Sequence, residues 1–407
     1  MRGALGDLYL VYIIISVIKK KKILQIFNKY LEYGGEEGCV IRVAEAMSST
    51  FEVSVYYGST HDQLDQPFGR LKVPFYMLKN NRILNELRDL QEQNDFDAWQ
   101  VDNVFPTLSV AVYELAHELR IPIIQYLHNY RFGCPKATYF RDGTLCRLCK
   151  PTNMLPGIIH SCWRSSAIST AAMAFSLKRF WKHGAASIRG YISPSERQKQ
   201  LHVSMGIPAD KIHVIPHFYD PKDSDLTEYS KGGREVLYIG RITEEKGVGL
   251  LLKAWSSIDT QGRILRIIGA GADLVKMQQF VQDCGMDNVI FEGFVEQSKH
   301  SYFWENAAFS VAPSIWEEPF GMVVLEAWSQ KRPILTTNLG SFPDLIDDGV
   351  NGWLSEPTVE SLAKCLDAAF LADCESIGKN GYADLKNKYS KSIWTEKMVD
   401  VYSRIID

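Results

Sequence analysis

The chain has 407 residues, a length typical of two or three folded units. It carries 45 basic and 48 acidic residues, and the net charge of −3 argues against a protein that wraps nucleic acid. Apolar residues make up 46% and charged residues 23%, the balance of a globular protein with large buried cores.

The N-terminal segment is apolar and then basic. Leu8–Ile18 is an apolar run of eleven residues interrupted by Ser16, and Lys19 to Lys22 follow it. A membrane-spanning helix needs roughly 20 apolar residues, so this run is too short. A signal peptide has its charges before the apolar region, which is the reverse of the order seen here. We therefore expect residues 1–20 to be an upstream extension, with a short membrane anchor as the alternative.

Cysteine usage bears on the compartment. The chain has eight cysteines and no recognisable signal peptide. This combination favours a reducing compartment with free thiols or a metal site over a disulfide framework. We expect a cytoplasmic location, and a position at the inner face of the membrane is compatible with this expectation.

Strand and helix patterns alternate along the whole chain, as in parallel sheets covered by helices on both faces. The predicted strands are 22–27, 51–57, 97–101, 121–127, 188–192, 212–215, 235–240, 264–269, 289–293, 309–313 and 333–337. This pattern predicts an α/β protein of two Rossmann-like, doubly wound domains that face each other across a cleft. Ligands of such sheets bind beyond the carboxyl ends of the strands.

Changes in composition suggest the domain boundaries. We place the first domain at 21–218 and the second at 219–385, joined by a polar stretch at 220–233. Within the first domain, residues 131–164 form an insert rich in Cys, Pro, Gly and Arg. We expect residues 386–407 to form a C-terminal helix that packs back on the first domain.

A carboxylate pair stands out in the second half. The segment 316–327 follows a predicted strand and opens a helix, and Pro319 suits a first helical turn. Glu318 and Glu326 are eight residues apart, about 12 Å along a helix. Hydrolytic carboxylate pairs lie at most about 9.5 Å apart, so these two suit the ends of a long ligand instead. The alternative is a capping glutamate and a surface glutamate.

A loop at 240–247 supplies two cations. Arg241 and Lys246 follow a predicted strand and precede a helix. A guanidinium offers a fork of donors and an ammonium offers a point charge, so together they could bind a diphosphate. Solvated surface charge is the alternative interpretation.

Several segments resemble the retaining family 4 (group 1) glycosyltransferases of the GT-B fold, of the bacterial polysaccharide-assembly type. They are EEPFGMVVLE, GRITEEKG, VIPHFYD, SFPDLIDDGVNGWL, KILQIFNKYLEYGGEE, VDNVFPTLS and QYLHNYR. Together they extend over roughly residues 21–407. Glu318 and Glu326 match the E-x7-E core of that family.

The resemblance implies roles for four residues at the reacting centre. Arg241 and Lys246 would bind the diphosphate of the donor, and Glu318 would contact the sugar hydroxyls. His128, at the end of a predicted strand, would lie beside the transferred sugar.

Further contacts to the substrates are implied in the same way. Glu326 would hold the nucleotide ribose through its hydroxyls. The amides of Phe320, Gly321 and Met322 would assist Glu318. Gly34 and Gly35 would form a tight loop near the donor phosphate and the acceptor.

Two positions depart from the family pattern. His217 stands where many members have Asn after the proline. Gly340-Ser341 replaces a usual Gly-Gly pair, and serine has less conformational freedom than glycine. Because of Ser341, we expect this loop to approach a ligand less closely than a Gly-Gly pair would allow.

The implied reaction moves a sugar from a nucleotide diphosphate sugar to the hydroxyl of a saccharide or lipid-linked saccharide, with retention. Fixed cations would stabilise the departing diphosphate, so we expect no catalytic metal. The alternatives are a sugar-nucleotide epimerase or phosphorylase on the same fold and a non-catalytic sugar-nucleotide-binding partner. The even charge balance predicts no nucleic acid partner.

Four cysteines cluster in the insert with the spacing C-x11-C-x2-C-x12-C, namely Cys134, Cys146, Cys149 and Cys162. A C-x2-C pair flanked by two further cysteines suits tetrahedral zinc, and His160 is a substitute ligand. Buried reduced thiols are the alternative. Cys39, Cys284, Cys365 and Cys374 are expected to be isolated thiols.

An apolar helix is predicted at 167–181, and Lys178, Arg179 and Lys182 lie near its end. A peripheral contact with a membrane would suit a lipid-linked acceptor. A buried helix with a basic last turn is the alternative.

Overall fold

A computed structural model of the protein describes residues 20–29, 35–60, 69–221 and 233–406. Residues 1–19 and most of the predicted linker, 222–232, therefore lie outside the described residues, and so does Gly34. The described chain contains two six-stranded sheets, and all strand pairs within them are parallel. The predicted α/β fold of two doubly wound sheets is confirmed.

The first sheet has the strand order β2-β1-β3-β4-β7-β8. Its strands are β1 (Lys22–Lys29), β2 (Glu52–Ser59), β3 (Ala98–Asn103), β4 (Ile123–Tyr126), β7 (Ile188–Ser193) and β8 (Ile212–Val214). A small antiparallel pair in the insert is formed by β5 (Phe140–Arg141) and β6 (Thr144–Leu145). Because the chain leaves β1 to opposite sides for β2 and β3, the strand order reverses there and opens a crevice at the carboxyl ends.

The second sheet has the order β11-β10-β9-β12-β13-β14, with its reversal between β9 and β12. Its strands are β9 (Glu235–Ile239), β10 (Ile264–Ile268), β11 (Val289–Gly293), β12 (Ala307–Ala312), β13 (Ile334–Thr337) and β14 (Trp353–Ser355). The loops that follow β9 and β12 at this switch point are rich in polar residues.

Fifteen helices of the described residues cover the sheets. In the first half they are α1 (Gly35–Met47), α2 (Gly69–Leu78), α3 (Asn81–Asn94), α4 (Ala111–Glu118), α5 (Leu155–Ile159), α6 (Ala167–Arg179) and α7 (Glu196–Ser204). In the second half they are α8 (Val248–Trp255), α9 (Leu274–Asp283), α10 (Ser301–Trp304), α11 (Met322–Ser329), α12 (Phe342–Leu345), α13 (Val359–Leu371), α14 (Cys374–Lys388) and α15 (Lys391–Ile406).

The sequence of β1 shows why these segments form central strands. Six of its eight residues are buried, and its apolar residues point to both faces of the sheet. A strand covered on both faces needs a nearly continuous apolar run rather than alternation. Separate apolar clusters on the two faces of each sheet make up the cores.

The last helix joins the two halves. Helix α15 follows the second sheet in sequence, yet Trp394, Met398, Val401 and Tyr402 pack in an apolar cluster of the first sheet. The Tyr402 hydroxyl donates a hydrogen bond to Gln100 Oε1 in β3 at 2.5 Å. The chain is thereby anchored to the first half at its C-terminal end.

Among the described residues, none of the helices combines the length and apolar character required to cross a bilayer.

Candidate active site at the two sheet switch points

The loops after β9 and β12 bring a lysine and a glutamate into direct contact. Lys246 Nζ lies 2.7 and 3.0 Å from the two carboxylate oxygens of Glu318. Ser314 Oγ and Trp316 Nε1 also donate to Glu318, at 3.2 and 2.9 Å. Four donor contacts therefore fix the Glu318 carboxylate at the switch point of the second sheet.

Two glycines allow these loops to approach each other. Gly247 has φ +74°, and a Cβ there would lie 1.9 Å from the carbonyl oxygen of Pro313. Gly340 has φ +61°, and a Cβ there would lie 2.2 Å from the amide nitrogen of Glu318. A side chain at either position would push the loop away from Glu318.

The serine at the departing Gly-Gly position fits without strain. Ser341 has φ −85°, where any residue is comfortable, and it is fully buried. Its amide donates to the Glu318 carbonyl at 2.9 Å, and its hydroxyl donates to the Phe320 carbonyl at 2.6 Å. The serine therefore supports the loop that carries Glu318.

The helix after Glu318 begins later than predicted. Helix α11 starts at Met322 because Gly321 adopts φ +91° and ends the preceding turn, so Pro319 lies in the loop and not in the first helical turn. The side chain of Phe320 is buried in the core. Among the described residues, no hydrogen bond involves the amides of Phe320, Gly321 or Met322, and these amides remain available to a ligand.

Arg241 and Glu326 make contacts other than those between Lys246 and Glu318. The Arg241 side chain is 62% exposed, and its guanidinium is 3.7 Å from Glu245. Glu326 lines a cavity of about 330 Å³ together with Arg42, Gln297 and Tyr219. Burial raises the pKa of the Glu326 carboxyl, and the charge of Arg42 partly opposes this. The cavity is lined from both halves of the protein.

The first sheet contributes a buried histidine beside its own switch point. His128 follows β4, and its side chain is 4% exposed. Its Nε2 lies 2.8 Å from Asp102 Oδ1, at the end of the neighbouring strand β3. Gln25 and Gln100 also donate to Asp102. Gly35, the other residue predicted near the donor phosphate, is the first residue of α1.

The sequence did not indicate that Cys39 and His217 contact each other in this part of the site. Cys39 was expected to be an isolated thiol, but its Sγ lies 3.5 Å from His217 Nδ1. The ring of His217 stacks on Tyr126 and meets the edge of Phe320 at a centroid distance of 5.1 Å. The residue that departs from the family pattern therefore connects the first-sheet site to the loop before α11.

Glu317, next to Glu318, forms ion pairs that connect the second half of the protein to the first. Its side chain is 1% exposed and lies 2.6 Å from Arg147 and 2.7 Å from Arg197. Arg197 belongs to α7, and Arg147 lies between two cysteines of the insert. The Ser195 hydroxyl adds a hydrogen bond to the Pro319 carbonyl at 2.7 Å. Sequence reasoning missed Glu317 because only its neighbour Glu318 matches a known motif.

The four cysteines of the insert lie near one another. Burial, followed by the negative charge of Cys134, raises the pKa of the Cys149 thiol to about 11. His160 contacts Arg141, with Nδ1 3.0 Å from the guanidinium. Within the described residues, these cysteines do not form a group whose ligand atoms all lie within 4.8 Å. Zinc binding by the insert stays a prediction.

Two family models match consecutive parts of the chain. One, described as Glycosyltransferase Family 4, matches residues 33–223, and the other, Glycosyl transferases group 1, matches residues 222–384. Together they extend over residues 33–384, which include both sheets except β1. The protein belongs to the family 4, group 1 glycosyltransferases.

Curated relatives match over one part of the chain. An uncharacterised glycosyltransferase of Methanocaldococcus jannaschii is 29% identical over 214 residues, covering 48% of this chain and 54% of that protein. An amylovoran biosynthesis glycosyltransferase of Erwinia amylovora is 23% identical over 219 residues, covering 50% and 53%. The chain thus spans about half the length of the curated relatives it matches.

A solved structure agrees over nearly the whole chain. HepE from Anabaena, in complex with UDP-glucose, matches with a TM-score of 0.67 and 19% identity, covering 94% of this chain and 99% of that one. At this identity the likeness shows the fold, which is GT-B.

The cysteine insert yields a first prediction. Zinc ligation would replace the thiol protons of the four cysteines, and its free energy would order the insert. Cys146→Ser should lose one equivalent of zinc by elemental analysis and open residues 131–164 to proteolysis, with donor binding kept. The exposed Cys284→Ser is the control. Equal zinc contents in wild type and Cys146→Ser would leave the reduced-thiol interpretation standing.

Proposed function

We propose that the protein is a nucleotide-sugar-dependent hexosyltransferase that retains anomeric configuration and acts in surface polysaccharide or glycoconjugate synthesis. The contact between Lys246 and Glu318 carries this proposal. In a nucleotide sugar the diphosphate is bonded directly to the sugar. Lys246 can bind the phosphate, and the adjacent Glu318 carboxylate can accept hydrogen bonds from the sugar hydroxyls. The two side chains therefore follow the order of the groups in a nucleotide sugar.

The position of this contact in the fold supports the same assignment. Lys246 follows β9 and Glu318 follows β12, which are neighbours at the switch point of the second sheet. Ligands of doubly wound sheets bind there. The HepE structure contains UDP-glucose, and relatives act in polysaccharide synthesis. These comparisons favour a uridine nucleotide sugar as the first donor to test.

The chain supplies charge stabilisation for the leaving group. As the glycosidic bond breaks, negative charge develops on the diphosphate. Lys246, Arg241 and the available amides at the start of α11 would offset that charge without reorganising. No catalytic metal is needed for this step. Activity should therefore persist in EDTA.

The two cations give a second prediction. Lys246→Ala and Arg241→Ala should each reduce transfer by roughly 10²-fold or more, as expected on loss of a fixed stabiliser of developing charge. Transfer is measured with a panel of UDP-, GDP- and ADP-sugars by release of the nucleoside diphosphate. Lys253→Ala, an exposed lysine in α8, is the control.

The two variants should differ in stability. Arg241 is exposed, so its loss should leave thermal unfolding unchanged. Lys246 is 20% exposed and pairs with Glu318, so its removal leaves a poorly solvated carboxylate and should lower the unfolding temperature. Wild-type turnover in either variant would contradict the assignment to the diphosphate.

The two glutamates give a third prediction. If Glu326 binds the ribose, Glu326→Gln should weaken binding of the free nucleoside diphosphate roughly ten- to a hundredfold, the scale of a hydrogen bond to a charged group. Glu318→Gln should keep or improve that binding, because it releases Lys246, while transfer falls. Calorimetry with the free nucleotide compares the two variants. Equal losses of nucleotide affinity in both would contradict the hypothesis that Glu326 binds the ribose and Glu318 binds the sugar.

We also propose a peripheral contact with an anionic membrane through α6. Ile168 and Phe175 are 79% and 62% exposed on this helix, and the exposed Lys178 lies three residues after Phe175. Helix α5 packs against α6 and adds Ile159, which is 69% exposed. Exposed apolar side chains beside a lysine suit the surface of an anionic bilayer.

Vesicle sedimentation tests the membrane contact. Wild type should bind phosphatidylglycerol vesicles at low ionic strength, and Ile168→Ser with Phe175→Ser should lose that binding. Val275→Ser removes a residue that is 77% exposed in the second half and should have no effect. Equal binding by all three proteins, or none by wild type, would contradict the proposal.

A further inference from the structure

Three potential metal ligands from distant parts of the chain meet beside the first-sheet switch point. Cys39 belongs to α1, His128 follows β4, and His217 follows β8. The Sγ atom of Cys39 and one nitrogen from each histidine lie within 4.8 Å of one another. The roles assigned above to the donor site use His128 and leave Cys39 and His217 without one.

The spacing of these atoms suits a tetrahedral metal ion. Zinc binds cysteine sulfur at about 2.3 Å and histidine nitrogen at about 2.0–2.1 Å, so the sulfur and nitrogen of one site lie about 3.6 Å apart. Cys39 Sγ and His217 Nδ1 are 3.5 Å apart. The observed separation therefore needs little change to accept an ion.

Stacked rings hold both histidines in position. Tyr126 stacks on His128 with ring centroids 4.7 Å apart and planes 11° from parallel. It stacks on His217 at 5.7 Å and 3°. The Tyr126 hydroxyl lies 3.2 Å from His217 Nδ1, the nitrogen nearest the thiol, and an ion would replace it as the partner of that nitrogen.

The outer contacts of His128 are those of a ligating histidine. Its Nε2 lies 2.8 Å from the buried carboxylate of Asp102, so Nδ1 is the nitrogen left for a ligand. A carboxylate on the far nitrogen fixes the tautomer and makes the ring a stronger donor, as around many zinc sites. Gln25 and Gln100 hold Asp102 in turn.

The donor set selects the kind of metal. Cys39 offers a sulfur ligand, and His128 and His217 each offer one imidazole nitrogen. A thiolate with two imidazoles suits zinc, whereas magnesium and calcium require oxygen ligands. Three protein ligands leave a fourth position for water or another small ligand.

We propose that Cys39, His128 and His217 form a Zn²⁺-binding site whose occupation inhibits glycosyl transfer. The inhibitory consequence rests on the proposed function, in which His128 lies beside the transferred sugar. An ion bound to His128 holds the ring in place, adds positive charge and occupies space at that position. The metal site itself does not depend on the reaction.

Metal binding to the chelator-stripped protein tests the site directly. Equilibrium dialysis against Zn²⁺ with elemental analysis should show one equivalent more in wild type than in Cys39→Ala or His217→Asn. The comparison between proteins subtracts any zinc held by the cysteine insert. Cys284→Ser, which removes an exposed thiol, should bind as wild type does. Circular dichroism establishes that each variant is folded.

Spectroscopy and kinetics complete the test. With Co²⁺ in place of Zn²⁺, Cys39→Ala should lose part of the thiolate-to-cobalt absorption, and Cys39→Ser should lose the same part. Cys39→Ala should keep basal transfer, while the Zn²⁺ concentration that halves its transfer should rise by roughly tenfold or more. Equal stoichiometry and equal cobalt spectra in wild type and Cys39→Ala would overturn the site. A wild-type protein without transferase activity would refute the proposed function. The zinc stoichiometry and the cobalt spectra would still show whether the metal site exists.

Discussion

The structure depends on how two adjacent buried carboxylates are neutralised. Glu317 and Glu318 are consecutive, and both are largely withdrawn from solvent. Buried carboxylates are costly unless each one has cationic partners. Glu317 takes Arg147 and Arg197 from the first half, and Glu318 takes Lys246 from the second. One short loop thereby joins the two halves and holds the proposed donor site.

This arrangement couples donor binding to the contact between the halves. A diphosphate that takes Lys246 would leave Glu318 free to accept hydrogen bonds from sugar hydroxyls. The neighbouring Glu317 would keep the loop attached to α7 and to the cysteine insert. The insert contacts this loop through Arg147. Helix α15 adds a second connection at the far end of the chain.

Much of the fold and part of the site could be predicted from the sequence. The features that could not be predicted depend on backbone conformation or on contacts between distant segments. Buried strands such as β1 have long apolar runs, and Glu318 and Lys246 lie in motifs with a clear family pattern. The start of α11 was misplaced because the left-handed turn at Gly321, not Pro319, sets it. Cys39 and His217 are 178 residues apart, and only the sheet order brings them together. One signal was present: Asp102 lies near the end of β3 and His128 follows β4, and the carboxyl ends of these strands adjoin in a parallel sheet.

The central claim is that Lys246 and Glu318 share one nucleotide sugar. A crystal structure of the protein with a bound nucleoside diphosphate sugar measures this directly. The account predicts a phosphate oxygen within hydrogen-bond distance of Lys246 Nζ, sugar hydroxyls on Glu318, and a longer Lys246–Glu318 separation than the present 2.7 Å. A donor bound elsewhere, with the lysine–glutamate contact unchanged, would contradict it.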